Sequence, residues 1–105
     1  MANGVLGRVS LASTTLTTVY TVPIGFLSYA NVNITNRTGA SAAVRIAIAQ
    51  TAAAPLDAEY IEYDSYVAPN GVLERTGLVL DAGWSIVAYS DKANVSVQAY
   101  GIEQS

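Results

Sequence analysis

Apolar and polar residues exchange places at every second position through most of this chain, and that period commits it to β-strands. In "YANVNITNR" (29–37), Ala30, Val32 and Ile34 fall on one face, and Asn31, Asn33 and Thr35 on the other. In "SAAVRIAIAQ" (41–50), Val44, Ile46 and Ile48 line up inward while Arg45 stands outward between alanines. "NVSVQAYGI" (94–102) sets Val95, Val97 and Ala99 opposite Ser96, Gln98 and Tyr100. In "WSIVAYS" (84–90) Trp84, Ile86 and Ala88 oppose Ser85, Val87 and Tyr89, and either side suits a core. "TLTTVYTV" (15–22) is β-prone by its Thr and Val content. "GVLGRVSL" (4–11), "EYIEYDSYV" (59–67) and "VLERTGLVL" (72–80) complete about eight strands. The first dozen residues read as a strand or as a detached N-terminal arm.

Turn residues separate these segments: Pro23-Ile24-Gly25, Thr38-Gly39-Ala40, Pro69-Asn70-Gly71, Asp81-Ala82-Gly83 and Ser90-Asp91-Lys92. Asn70-Gly71 supplies positive φ for a tight reversal, and the last two turns read as hairpin closures. The stretch "AQTAAAPLDAEY" (49–60) has helix-favouring alanines, but Pro55 interrupts it and no apolar face forms. It is expected to be a crossover loop between two sheets. Short strands with regular turn signals predict an all-β chain, one antiparallel β-sandwich domain over 1–105, jelly-roll or immunoglobulin-like.

Composition then removes whole classes of function. The chain has no cysteine and no histidine, so thiolate chemistry, disulfides and imidazole bases are unavailable. Five Lys/Arg against eight Asp/Glu give a charge of −3, which does not furnish the basic surface that nucleic-acid binding needs. The start "MANGVLGRVSLAS" lacks a signal peptide's charged and apolar regions, and no run approaches the ~18 apolar residues of a membrane helix. The expectation is a soluble protein made in the cytoplasm, with no cofactor, nucleic acid or membrane partner. Charged residues are only 12% of the chain, against about 25% in ordinary soluble domains, while hydrophobic types reach 51%. A domain this small cannot bury all of that, so the pattern suggests a subunit whose faces are covered by neighbours.

The charge is concentrated in "EYIEYDSYVAPNGVLERTG" (59–77). On a regular strand Glu59, Ile61 and Tyr63 share one face, and Tyr60, Glu62 and Asp64 the other. Glu62 and Asp64 would then lie ~7 Å apart, a spacing open to Ca²⁺ binding or glycosidase chemistry. The plainer reading is acids that keep one strand face soluble and unwilling to pair with the wrong edge. Tyr60 and Tyr63 fall on opposite faces of a regular strand, so at least one of Tyr60, Tyr63 and Tyr66 should reach a partner. Glu74 and Arg75 point opposite ways, so each should find a charge elsewhere; an acid of 59–64 across the hairpin, or one in a neighbouring subunit, is open to Arg75. The sequons at Asn33, Asn36 and Asn94 read as Asn, Thr and Ser filling solvent-facing positions. The candidate contact residues are therefore Tyr60, Glu62, Tyr63, Asp64, Tyr66, Glu74 and Arg75, on a contact-bearing hairpin. No catalytic or metal residue is assigned.

"NVNITNR" (31–37), "AEYIEYD" (58–64), "NGVLERTGLVLDAG" (70–83) and "ANVSVQAYGIE" (93–103) resemble a recurring small domain in structural proteins of tailed phages, especially those infecting cyanobacteria. The likeness runs from the second strand to the end, in short strand-and-turn phrases. It implies a non-enzymatic virion protein, most simply a capsid decoration (cement) protein that binds the major capsid protein or other virion proteins. Tail, collar or fibre components and carbohydrate- or receptor-binding modules are the alternatives. Threefold and sixfold shell positions suggest a homo-oligomer, with a trimer as the natural guess.

Overall fold

A computed structural model describes residues 3–50 and 55–105. Eight strands appear in the order β1 (Asn3–Leu11), β2 (Thr17–Thr21), β3 (Leu27–Asn36), β4 (Ala42–Ala49), β5 (Tyr60–Val67), β6 (Val72–Leu80), β7 (Ser85–Ser90) and β8 (Val95–Gln104). A 3₁₀ turn, Asp57–Glu59, precedes β5, and Glu59 Oε1 accepts a hydrogen bond from the Leu56 amide at 2.8 Å. The strands form two four-stranded sheets, β1-β8-β3-β6 and β2-β7-β4-β5, with every pairing antiparallel. This is the all-β sandwich that the alternation predicts.

The strand order decides between the two sandwiches expected. An immunoglobulin sandwich pairs its first two strands within a sheet. Among the described residues β4 and β5 are the only consecutive strands that pair, and every other connection crosses between sheets. That is the double Greek key of a jelly roll. The turn at Pro69-Asn70-Gly71 is therefore an arch between sheets and not a hairpin, and the same correction applies to 81–83 and 90–92. Local chemistry is as expected: Asn70 has φ 57 and the Gly71 amide bonds Ala68 O at 2.8 Å. The Pro23 turn, with Gly25 at φ 87, and the Asp81 turn, with Gly83 at φ 85, place positive φ at the same third position. Such a turn reverses the chain without specifying which sheet receives it. Conversely, the 49–60 connection joins neighbours in one sheet, which corrects the predicted crossover; its residues 51–54 lie outside the described residues.

The core lies between the sheets. Val32, Ile34, Val44, Ile46, Ile86, Val95 and Val97 are fully buried, each from the face that alternation assigns or leaves open. β7 is buried on both faces, which is why its orientation cannot be read from period: Ile86 and Ala88 enter the core, while Val87 joins Ala47 and Ala49 in a smaller cluster covered by Leu16 and Tyr60. β1 pairs with β8 from Asn3 to Leu11, so among the described residues the N-terminus is a strand and no arm. Asn36 is also buried, contrary to the solvent-facing reading of its sequon. Its amide nitrogen donates to Ala40 O, Val67 O and Ala68 O, and its oxygen accepts from the Thr38 amide. One asparagine thus ties the β3–β4 and β5–β6 connections together.

Candidate contact surfaces

β5 is an edge strand, and it departs from regular pleating where the candidate residues cluster. Against β4 the register runs Val44↔Ser65, Ile46↔Glu62 and Ala47↔Tyr60, so Tyr63 and Asp64 together oppose Arg45, and Ile61 is a further inserted residue. Asp64 sits at φ 52, a left-handed conformation that Asp tolerates better than most, within this bulge. The bulges overturn two expectations that assumed unbroken alternation. Glu62 and Asp64 do not share a face, and Tyr60 and Tyr63 do not oppose each other.

Tyr60 and Tyr63 meet edge to face on the outer surface of the sheet, with ring centroids 5.1 Å apart. Beside them the Arg45 guanidinium lies 4.2 Å from the Tyr63 ring and 4.5 Å from that of Tyr89. Arg45 Nε donates to Asp64 Oδ1 at 2.7 Å, and this carboxylate holds the guanidinium still more firmly protonated than usual. Cation–π contact and ion pair together fix Arg45 flat against the sheet. Tyr66 extends away from this group, 79% exposed. The expectation that at least one tyrosine of the segment is available to a partner holds for Tyr63 and Tyr66. An open depression beside them is lined by Asp57, Tyr60 and Tyr63.

Glu62 turns the other way, toward the second sheet. It is bridged by Arg75 Nη1 of β6, which also donates to Ile61 O at 3.3 Å, and it accepts from Ser65 Oγ at 2.5 Å. The Ser65 hydrogen bond first, and Arg75 second, hold the Glu62 carboxyl below the usual carboxylate range. Arg75 therefore does find an acid of 59–64, but across the seam between two sheets. Glu74, its chain neighbour, lies on the far outer face of β6 and accepts from Tyr100 Oη at 2.7 Å. That bond raises the Tyr100 hydroxyl above the ordinary phenol range. The seven candidate residues thus occupy three places: the outer face of the β2-β7-β4-β5 sheet, the seam, and the outer face of the β1-β8-β3-β6 sheet. No hairpin carries them.

The chemistry open to this arrangement is limited by its pairing. The Glu62 and Asp64 carboxylates are each engaged by an arginine, and they point to different surfaces. Among the described residues no three acids converge, and no helix is long and apolar enough to cross a membrane. One buried polar contact escaped the sequence reading. Tyr20 Oη of β2 donates to Glu103 of β8 at 2.5 Å inside the sandwich, and burial, with that bond second, pushes the Tyr20 hydroxyl up to about 12. Alternation at 94–102 stops just short of Glu103, and a lone acid at a strand end gives no sign of being interior. Also unforeseen is a group of exposed apolar side chains on the β1-β8-β3-β6 face, Val5, Tyr29, Val79 and Ile102. Their adjacency depends on which strands pair. Comparison with known proteins returned no match: no family model, no curated protein and no solved structure is significantly similar to this chain.

Proposed function

We propose that this chain is a non-enzymatic structural subunit of a phage virion, a decoration protein that self-associates and binds the shell through the outer faces of its sheets. The observation that carries the reading is the character of those faces. One presents the tyrosines Tyr63 and Tyr66 to solvent, the other Tyr29 with the aliphatic Val79 and Ile102, on a chain with little charge. Such residues form the centres of protein contacts, where charge is depleted and aromatic rings are enriched. The acids that a catalytic reading would use are engaged in holding β5 to β4 and to β6. The double Greek key is also an architecture common in capsid proteins. The resemblance of its strand phrases to phage structural domains supports placing it on a virion, with the major capsid protein as partner and a tail, collar or fibre position as the alternative within the particle.

The test is reconstitution. Purified protein added to shells of the encoding phage that lack it should co-sediment to a saturating stoichiometry and raise the temperature at which the shells rupture. Absence of binding, together with absence of the chain from purified particles by mass spectrometry, would overturn the proposal.

One observation favours a second reading. The open depression is lined by Asp57, Tyr60 and Tyr63, a carboxylate and two aromatic rings, the residue types that suit a sugar. Glycan-array binding lost on Tyr63→Ala would support a carbohydrate-binding module, and an array without signal, with or without EDTA, would remove it.

A further inference from the structure

The outer face of the β1-β8-β3-β6 sheet carries two transverse rows set by the register. One row reads Arg8, Gln98, Asn33, Glu74 across β1, β8, β3 and β6. Its two ends bear opposite charge and its middle is uncharged. The other reads Asn3, Ile102, Tyr29, Val79, and the last three are 40%, 42% and 58% exposed. Four residues of β3 separate the rows, about 13 Å.

Arg8 is the unusual member. The chain has five cationic side chains. Arg37 donates to Ser10 and Ser96, Arg45 to Asp64, Arg75 to Glu62, and Lys92 to Asp91. Of the five, Arg8 alone shows no hydrogen bond or ion pair among the described residues, and it is exposed. At the opposite end of its row, Glu74 is held in place by Tyr100 Oη and has no cation beside it.

We infer that this face pairs with the same face of a second copy, about a twofold axis parallel to the strands and passing between β8 and β3. That rotation exchanges β1 with β6 and β8 with β3 while keeping each row at its own height. Arg8 of one copy then stands over Glu74 of the other, twice by symmetry. Tyr29 stands over Ile102, also twice, and Val79 packs near the start of β1. A twofold axis across the strands would instead set the charged row on the apolar row, leaving the ion pairs unmade. The chosen axis keeps the strands of the two sheets nearly aligned, the ordinary mode of sheet-on-sheet packing. Four strands ~4.8 Å apart and ~30 Å long present roughly 550 Å² per face, so the pair buries on the order of 1,100 Å² or more, enough for a specific interface.

The inference rests on the reading of the chain as a self-associating subunit, and it replaces the threefold guess with an isologous pair. Sedimentation velocity of the full chain at micromolar concentration should give a dimer. Arg8→Glu or Glu74→Arg alone should weaken dimerisation by on the order of tenfold or more, because each change acts twice and opposes like charges. The double variant, Arg8→Glu with Glu74→Arg, should restore it, which no misfolding explanation would produce. Val79→Lys should also give monomer with an unchanged circular dichroism spectrum. A dimer indifferent to all these changes, or a trimer, overturns this face assignment while leaving self-association intact. A monomer overturns both.

Discussion

Along one edge of the sandwich, β1 lies so close to β2 that a β-carbon on Gly7 would stand 2.1 Å from Val19 O. Along the other, β5 and β6 stay apart and are joined by the Arg75–Glu62 bridge, supported by Ser65. The first edge is closed by removing a side chain, the second by adding two charged ones. Backbone apposition of the first kind is indifferent to pH and salt and intolerant of any added atom. A clasp of the second kind tolerates substitution at modest cost and responds to protonation.

Gly7→Val is the most severe way to break the contrast. The new side chain must push β1 off β2, and the expected loss is about 1–3 kcal/mol or more, read from the urea midpoint of unfolding. A midpoint unchanged within error would mean that the strands do not touch there. Glu62→Ala, at the other edge, should cost about 1–2 kcal/mol, toward the lower end for a charged hydrogen bond, because Arg75 is 39% exposed and water can solvate the guanidinium it leaves. A loss larger than that of Gly7→Val would reverse the ranking of the two edges.

Acid sharpens the comparison. The Glu62 carboxyl titrates below its unfolded value of about 4.3, so its contribution is complete above that pH and disappears as pH falls through the lower folded value. The wild-type chain should therefore lose more stability than Glu62→Gln between pH 5 and the acid limit, roughly, in denaturant titrations across that range. Parallel pH profiles for the two proteins would refute the clasp as a titrating element. The smallest effect belongs to Arg45→Ala, on the solvent side of β4. The Asp64 pair and the tyrosine stacking should together be worth about 0–1 kcal/mol in thermal unfolding. A loss above that would show that this outer group bears on the fold itself.

The two edges also separate what is readable in the sequence from what is not. The inward faces of β3 and β4 follow directly from Ala30, Val32, Ile34 and from Val44, Ile46, Ile48, because pleating alternates side chains wherever the backbone is regular. At β5 the same rule fails. Nothing in "EYIEYDSY" announces that Asp64 adopts φ 52 and that two residues oppose Arg45. The partners of Glu62 and Asp64 followed from that bulge and could not precede it. Arg75 does meet an acid of this segment, one of the partners open to it, but by a route through the opposite sheet. The reason for a glycine at position 7 lies twelve residues away, at Val19 O.

By itself the sequence determined eight strands, their turns, the apolar faces of β3, β4 and β8, and a surface with little charge. These follow from local quantities: the twofold period of side chains, the φ that Pro, Gly and Asn permit, and the transfer preference of each residue. Tertiary structure alone decided which strands are neighbours, since a turn with positive φ serves a hairpin and an arch equally well. With that decision came everything that depends on adjacency: Arg45 between two tyrosines, the Glu62–Arg75 seam, the buried Tyr20–Glu103 contact, and the row that sets Arg8 opposite Glu74. The physical reason is that pairing is chosen by burying two apolar faces against each other at once. That free energy belongs to the closed sandwich, not to any segment of the chain.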